Sequence, residues 1–256
     1  WQPPPGQTVA GLLAACAQPP RLIEQVWQPL CLAALNTAPD QACATLFATV
    51  LRDAFEGRAS ASDMLAPRTD LSALWPDAAA ALLDMRYGHA VRRLRPAPHG
   101  VEVDGQCFDA AVLATPPVQA ARLLAPLAEA GPLLQALRGL RHLPIATHTL
   151  QLAGPLGPLA APVLMLRDDP ARHWHGQWLF DRTRLLGLDP ARAEVTVVAS
   201  NATALSALPR DAARQCLIAQ LRQQLPLPPV LRDEFIIDKR ATFAAVPGLR
   251  RPPPAT

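Results

Sequence analysis

Between Thr8 and Phe55 apolar positions recur at helical spacing, whereas from Ile145 onward they recur at every second position over several short stretches. Val9, Leu12, Leu13 and Cys16 share one side of a helix that Thr8 can cap and that reaches Ala17. Leu22, Ile23, Val26, Trp27, Leu30, Cys31, Ala34 and Leu35 form a wider stripe, which predicts a second helix over 21–35. Pro29 interrupts it, removing one backbone donor and crowding the carbonyl four residues back, so a kink is expected near Gln25 to Pro29. Asn36 can end this helix, since asparagine tolerates the left-handed conformation. A third helix, capped by Asp40, is expected over 41–55, then a loop over 58–65 and a short helix over 70–83.

The pattern changes at Tyr87. Residues 89–95 alternate loosely, 96–100 cluster turn formers, and Val101 and Val103 flank Glu102 on what reads as a strand. Asp104-Gly105 supplies a two-residue reversal, because both residues accept the positive φ that such a turn needs. Ala110 to Ala114 is apolar without alternation, which predicts a parallel strand covered on both faces. Thr115-Pro116-Pro117 stops it, and Pro117 can open a helix to Leu124. A helical passage over 126–141 precedes strands at 145–152, 163–166, 177–180, 194–200 and 230–241, with a helix over 209–225 before the last. The expected class is α+β, an antiparallel sheet backed by helices.

Composition narrows this picture. Half of the 256 residues are hydrophobic, yet no run reaches the roughly 18 apolar residues of a membrane span, so a soluble globular chain is expected. A net charge of +3, without any block of like charges, argues against nucleic acid as a partner. The five cysteines lack C-x-x-C spacing, which suggests a reducing, cytoplasmic setting. Cys16 and Cys31, set among apolar neighbours, read as small buried hydrophobes. His173-Trp174-His175 lacks a third ligand nearby, so no metal centre is expected. Neither G-x-S-x-G nor a P-loop is present. The chain opens at Trp1 without a signal-peptide pattern and closes on Pro252-Pro253-Pro254-Ala255-Thr256, which reads as a fragment of a longer protein.

The meander, strand and small-Pro-Pro turn of 87–117 resemble the middle of FAD-dependent amine oxidase and phytoene desaturase-like flavoproteins. Trp27-Gln28-Pro29-Leu30-Cys31-Leu32-Ala33-Ala34-Leu35-Asn36-Thr37, Val50-Leu51-Arg52-Asp53, Ala61-Ser62-Asp63-Met64-Leu65 with Pro67-Arg68, Gln177-Trp178-Leu179-Phe180-Asp181-Arg182 and Lys239-Arg240-Ala241-Thr242-Phe243 are similar to a narrower group, the hydroxysqualene dehydroxylases. The resemblance implies FAD as cofactor, with the Val91 backbone against the adenine and the turn of Ala114, Thr115 and Pro116 beside the adenosine. It divides the chain into 1–84, helical substrate domain; 85–125, part of the FAD-binding domain; and 126–256, substrate-domain sheet and helices. It also implies a G-x-G-x-x-G motif and a C-terminal Gly-Asp segment, and this sequence has neither.

The implied chemistry is hydride delivery from reduced FAD to an allylic carbon of hydroxysqualene as its hydroxyl leaves, giving squalene for hopanoid synthesis. Trp27, Asn36 and Asp63 are then candidates for the substrate pocket, although Trp27 also reads as core, Asn36 as a helix cap and Asp63 as a loop residue. Asp53, Asp63 and His148 are candidate proton donors, and no spacing selects one of them. A hydrophobic isoprenoid substrate implies a cytoplasmic enzyme peripheral to the inner membrane, with the 9–16 helix face as a docking surface. No feature fixes an oligomeric state. A carotenoid desaturase, an amine oxidase and a non-catalytic lipid-binding module remain alternatives.

Overall fold

The computed structural model describes residues 2–251; Trp1 and 252–256, on which the fragment reading rests, lie outside the described residues. Two compact units are present, one running to Asp77 and resuming over His142–Gly248, the other built on Ala78–Arg141.

In the larger unit α1 (Val9–Ala15) is capped as expected, with the Thr8 hydroxyl accepting from the Gly11 N–H at 3.2 Å. Val9, Leu12 and Leu13 are buried, so this face is not available to lipid. Cys16, the residue that ends α1, is exposed, contrary to expectation. Cys31 is buried, and burial pushes its thiol up to about 12.

The expected kink takes a defined form. Ile23–Trp27 is one π-helical turn, closed by the Gln28 N–H donating to the Ile23 carbonyl, and α2 (Gln28–Leu35) starts directly after it. Pro29 follows directly, and the wider π turn is where the helix accommodates its ring and missing N–H. Asn36 closes α2 at φ 48°. Helix α3 (Ala44–Phe55) begins later than expected, and Asp40 does not cap it. The Cys43 N–H donates instead to the Ala245 carbonyl at 2.7 Å, which holds 40–43 outside the helix. Phe47 of α3 packs with Val9, Leu13, Cys31 and Ala42 in a small core.

The smaller unit carries a three-stranded antiparallel meander, β1 (Leu94–Ala97), β2 (Gly100–Val103) and β3 (Gln106–Phe108). Asp104 and Gly105 both take positive φ, 48° and 91°, as the two-residue turn requires. The Asp104 carboxylate accepts the N–H groups of Arg92 and Arg93 at 3.1 and 2.8 Å, which removes both donors from the ladder and delays β1 to Leu94.

The covered parallel strand expected at 110–114 does not form. These residues are in no strand, and Val112 is 93% exposed. A non-alternating apolar run is a strand only when neighbours pair both its edges and cover both faces, and none does so among the described residues. Pro117 does open a helix, α4 (Pro117–Leu124), which packs Ala120, Ala121 and Leu123 towards α5 (Gly131–Arg138) and its Leu134.

The larger unit resumes with β4 (His142–Leu152), β5 (Val163–Met165), β6 (Trp178–Asp181), β7 (Glu194–Ala199), α6 (Arg210–Gln224) and β8 (Val230–Phe243). All pairings are antiparallel, in the order β5-β6-β7-β4-β8. Ala146, His148, Leu150 and Leu152 of β4 lie on one buried face. They form a core with Val195 and Val197 of β7 and Ala213, Leu217 and Leu221 of α6. On the opposite face Thr149 and Thr196 pair their hydroxyls at 2.9 Å.

Candidate functional site

A cavity of about 560 Å³ opens in the larger unit, within the usual range for small-molecule pockets. Leu13 of α1, Ile23 of the π turn and Leu32 of α2 make its apolar wall. Asp168, His175, Gln177 and Ser200 line it from the sheet side.

The loop between β5 and β6 brings those polar groups together. Asp169 and Trp174 exchange two backbone hydrogen bonds, both 3.0 Å, around a tight turn at Pro170–Arg172. Beneath it sits Gln220 of α6, fully buried, whose amide is satisfied entirely by this loop. Its Oε1 accepts the Gly176 N–H at 2.8 Å, and its Nε2 donates to the carbonyls of Gly176 and Arg167 at 2.8 and 2.9 Å. Gln224 adds a second clamp, accepting the Arg167 N–H at 2.8 Å and donating to its carbonyl at 2.6 Å. Gly176 is required by packing, since a Cβ there would lie 2.7 Å from Val197 Cγ1. Gln177 then fixes the next turn, its Oε1 accepting the Ser200 N–H at 2.6 Å.

Burial raises the Asp168 carboxyl above the ordinary carboxylate range, against smaller opposing hydrogen bonds from its own backbone and Gln177. Burial likewise lowers His175, assisted by the nearby His173. Both shifts favour uncharged side chains at the cavity wall. The arrangement suits a ligand that sets hydrocarbon against Leu13, Ile23 and Leu32 and a polar group against the sheet side.

His148, a candidate proton donor from sequence, has another role. It is fully buried on β4, donates from Nε2 to Asp233 at 2.8 Å and lies edge-on to Phe235, with its Nδ1 unpartnered. Arg214 grips the same carboxylate at 2.8 and 2.6 Å, which together with His148 holds Asp233 down at about 2. Burial outweighs the Asp233 partner and lowers His148. His148 lines none of the cavities described here, and the triad ties α6 to β4 and β8.

The other sequence candidates lie apart from the cavity. Trp27 is half-buried against the small helical core and donates from its indole N–H to Gln18 at 2.7 Å. Asn36 is 3% exposed and works as a staple, donating to the Thr242 hydroxyl at 2.9 Å and accepting the Asn201 N–H. Asp63 is exposed at the end of the short turn Ala59–Ser62, and Asp53 is exposed on α3. Sequence reasoning singled out no role for Asp168 and met His175 only as half of a metal motif. The available signal was a polar loop between two short strands, ending in Gly176-Gln177. Among the described residues no group of three His, Cys, Asp or Glu side chains is arranged to hold a metal ion, and no helix is long and apolar enough to cross a membrane.

No family model matches the chain. It is 30% identical over 263 residues to the hydroxysqualene dehydroxylase of Rhodopseudomonas palustris (strain ATCC BAA-98 / CGA009), an alignment covering 94% of this chain and 55% of that protein. Cyclohexylamine oxidase from Brevibacterium oxydans IH-35A superposes with a TM-score of 0.62 at 14% identity, over 95% of this chain and 57% of that one. An oxidoreductase from Methanosarcina mazei gives 0.63 at 14% identity, over 93% and 57%. The chain has the fold of the amine oxidase-like FAD-dependent oxidoreductases. The likeness to hydroxysqualene dehydroxylase agrees with the resemblance carried by residues 27–37 and 177–182. The chain spans about half the length of these relatives.

In this amine oxidase-like fold the residues expected near FAD belong to the smaller unit. Val91 is half-buried, and neither its N–H nor its carbonyl has a partner among the described residues, while the next two N–H groups are held by Asp104. Recognition of an adenine through the main chain requires unpaired backbone groups, and Val91 has them. Ala114, Thr115 and Pro116 lie exposed on the loop before α4, with backbone free of secondary structure.

Proposed function

We propose that the complete protein is an FAD-dependent oxidoreductase that converts hydroxysqualene to squalene in hopanoid or triterpenoid synthesis. The observation that carries this reading is the 30% identity to a hydroxysqualene dehydroxylase sustained along 94% of the chain. The fold, shared with oxidases of quite different substrates, supports flavin chemistry but selects no substrate.

The division of labour follows the sequence expectation. Residues 1–84 and 126–256 bind the isoprenoid, and 85–125 contribute Val91, Ala114, Thr115 and Pro116 to the cofactor's adenosine half. Bound FAD, once reduced, supplies the hydride. Leu13, Ile23 and Leu32 bury hydrocarbon, at about 25 cal/mol for each Å² removed from water, and exclude water from the reacting end. A second hollow of about 410 Å³, lined by Met64, Leu65, Val163, Phe180, Leu185 and Leu186, offers further apolar surface for a long chain. Because the substrate partitions into bilayers, the enzyme works in the cytoplasm in peripheral contact with the membrane. That contact uses a surface other than the buried face of α1.

Incubating the protein expressed from its complete reading frame with hydroxysqualene and a flavin reductant, and resolving products by gas chromatography, tests the assignment. Squalene is expected. A product with newly conjugated double bonds would move the assignment to a desaturase, and unchanged substrate with an oxidised amine would move it to an amine oxidase.

A further inference from the structure

The cavity places an acid where this chemistry needs one. Expelling a hydroxyl from carbon requires a proton on the departing oxygen, which an acidic side chain at the cavity wall can supply. Asp168 and His175 both line the cavity opposite Leu13, Ile23 and Leu32, on a loop that a fully buried glutamine clamps by three hydrogen bonds. Burying an amide beneath a surface loop is costly unless every hydrogen bond is made, and here all of them serve to fix that loop. The result is a rigid platform that presents a carboxyl group and an imidazole to a cavity whose apolar wall is Leu13, Ile23 and Leu32.

We infer that Asp168 is the general acid for loss of the hydroxyl group and that His175, on the same loop, returns the proton to it from solvent. This inference rests on the proposed dehydroxylation. In the step, the Asp168 O–H bond breaks and its proton goes to the hydroxyl oxygen of the allylic alcohol. The C–O bond breaks with its electron pair leaving on oxygen as water, and the allylic carbon takes a hydride from a reduced flavin. The resulting Asp168 carboxylate recovers its proton through His175, and the flavin, now oxidised, requires an external reductant.

Charges around the acid support holding it protonated. Asp169 on its own loop and Glu24 on the π turn both oppose ionisation of Asp168, and Asp40 also faces the cavity. His173 and Asp168 are the charged groups acting on His175. Raised by burial, Asp168 carries its proton to higher pH than an ordinary carboxylate, so turnover should fall as pH rises through its ionisation.

The test uses the flavin-loaded protein from the complete reading frame, with Asp168→Asn and His175→Gln beside wild type. On hydroxysqualene, Asp168→Asn should lose about 100-fold or more in kcat with KM unchanged, and Asp168→Glu should recover part of it. The high-pH fall in kcat should disappear in Asp168→Asn. The deciding substrate is the acetate ester of hydroxysqualene, whose leaving group departs as acetate without a proton. Asp168→Asn should turn it over at the wild-type rate, which a variant damaged in folding or flavin binding could not do. His175→Gln should slow only the alcohol reaction. Equal activity of Asp168→Asn and wild type on the alcohol, or equal losses on alcohol and ester, would overturn the acid role while leaving the dehydroxylase reading intact. Wild-type protein that makes no squalene would overturn both.

Discussion

Two histidines show how environment decides what a side chain does. His148 and His175 are both lowered mainly by burial, yet one is locked to Asp233 within the sheet and the other faces a cavity. Neither role could be told from spacing, because His148 on an alternating strand looks the same whether its face is covered or open, and the loop that carries His175 is placed by the distant Gln220. The His148 triad makes a prediction about stability. The folded state binds the His148 proton less readily than the unfolded chain, so stability holds above the unfolded value near 6.5 and declines as pH falls below it. Asp233 adds a second loss, beginning below the ordinary carboxylate value and complete only near its folded value of about 2. Urea midpoints should therefore be level from pH 8 to 7, lower at pH 5 and lower again at pH 3. A midpoint that rises between pH 7 and 5 would contradict this reading of His148.

At the scale of elements, what was legible is what depends on local pattern. The alternating strands β4 to β8, the Thr8 cap, the Asp104-Gly105 turn and the proline-opened α4 all follow from side-chain period and backbone restriction, and all form close to their expected bounds. What failed depended on distant partners. Residues 110–114 have the composition of a covered strand, but cover and pairing are supplied by other elements and cannot be read from the run itself. The start of α3 moved because a carbonyl two hundred residues away captures the Cys43 N–H. The cavity loop was illegible for the same reason, since the Gln220 that clamps it lies more than forty residues further along the chain. That loop carries a second prediction. Gly176→Ala forces a Cβ against Val197 and Gln220, and should destabilise the protein by about 1–3 kcal/mol. Gln220→Leu strands the N–H and carbonyl of Gly176, leaving the Arg167 carbonyl to Gln224, at a cost of about 1–3 kcal/mol. Denaturant midpoints measure both, and wild-type midpoints would remove the clamp from the description.

For the whole molecule, the larger unit supplies an apolar cavity with an acid at its wall, and the smaller supplies an unpaired backbone edge suited to an adenine. Under the proposed dehydroxylation the cavity takes the hydrocarbon alcohol and the Val91 backbone takes the adenine of the cofactor. The most direct test is a single turnover without oxygen. The flavin of the complete protein is bleached with one equivalent of reductant, hydroxysqualene is added, and the return of flavin absorbance is followed alongside squalene. Reoxidation with one squalene formed per flavin is the expected result. A flavin that stays bleached in the presence of hydroxysqualene, with no squalene formed, would contradict it.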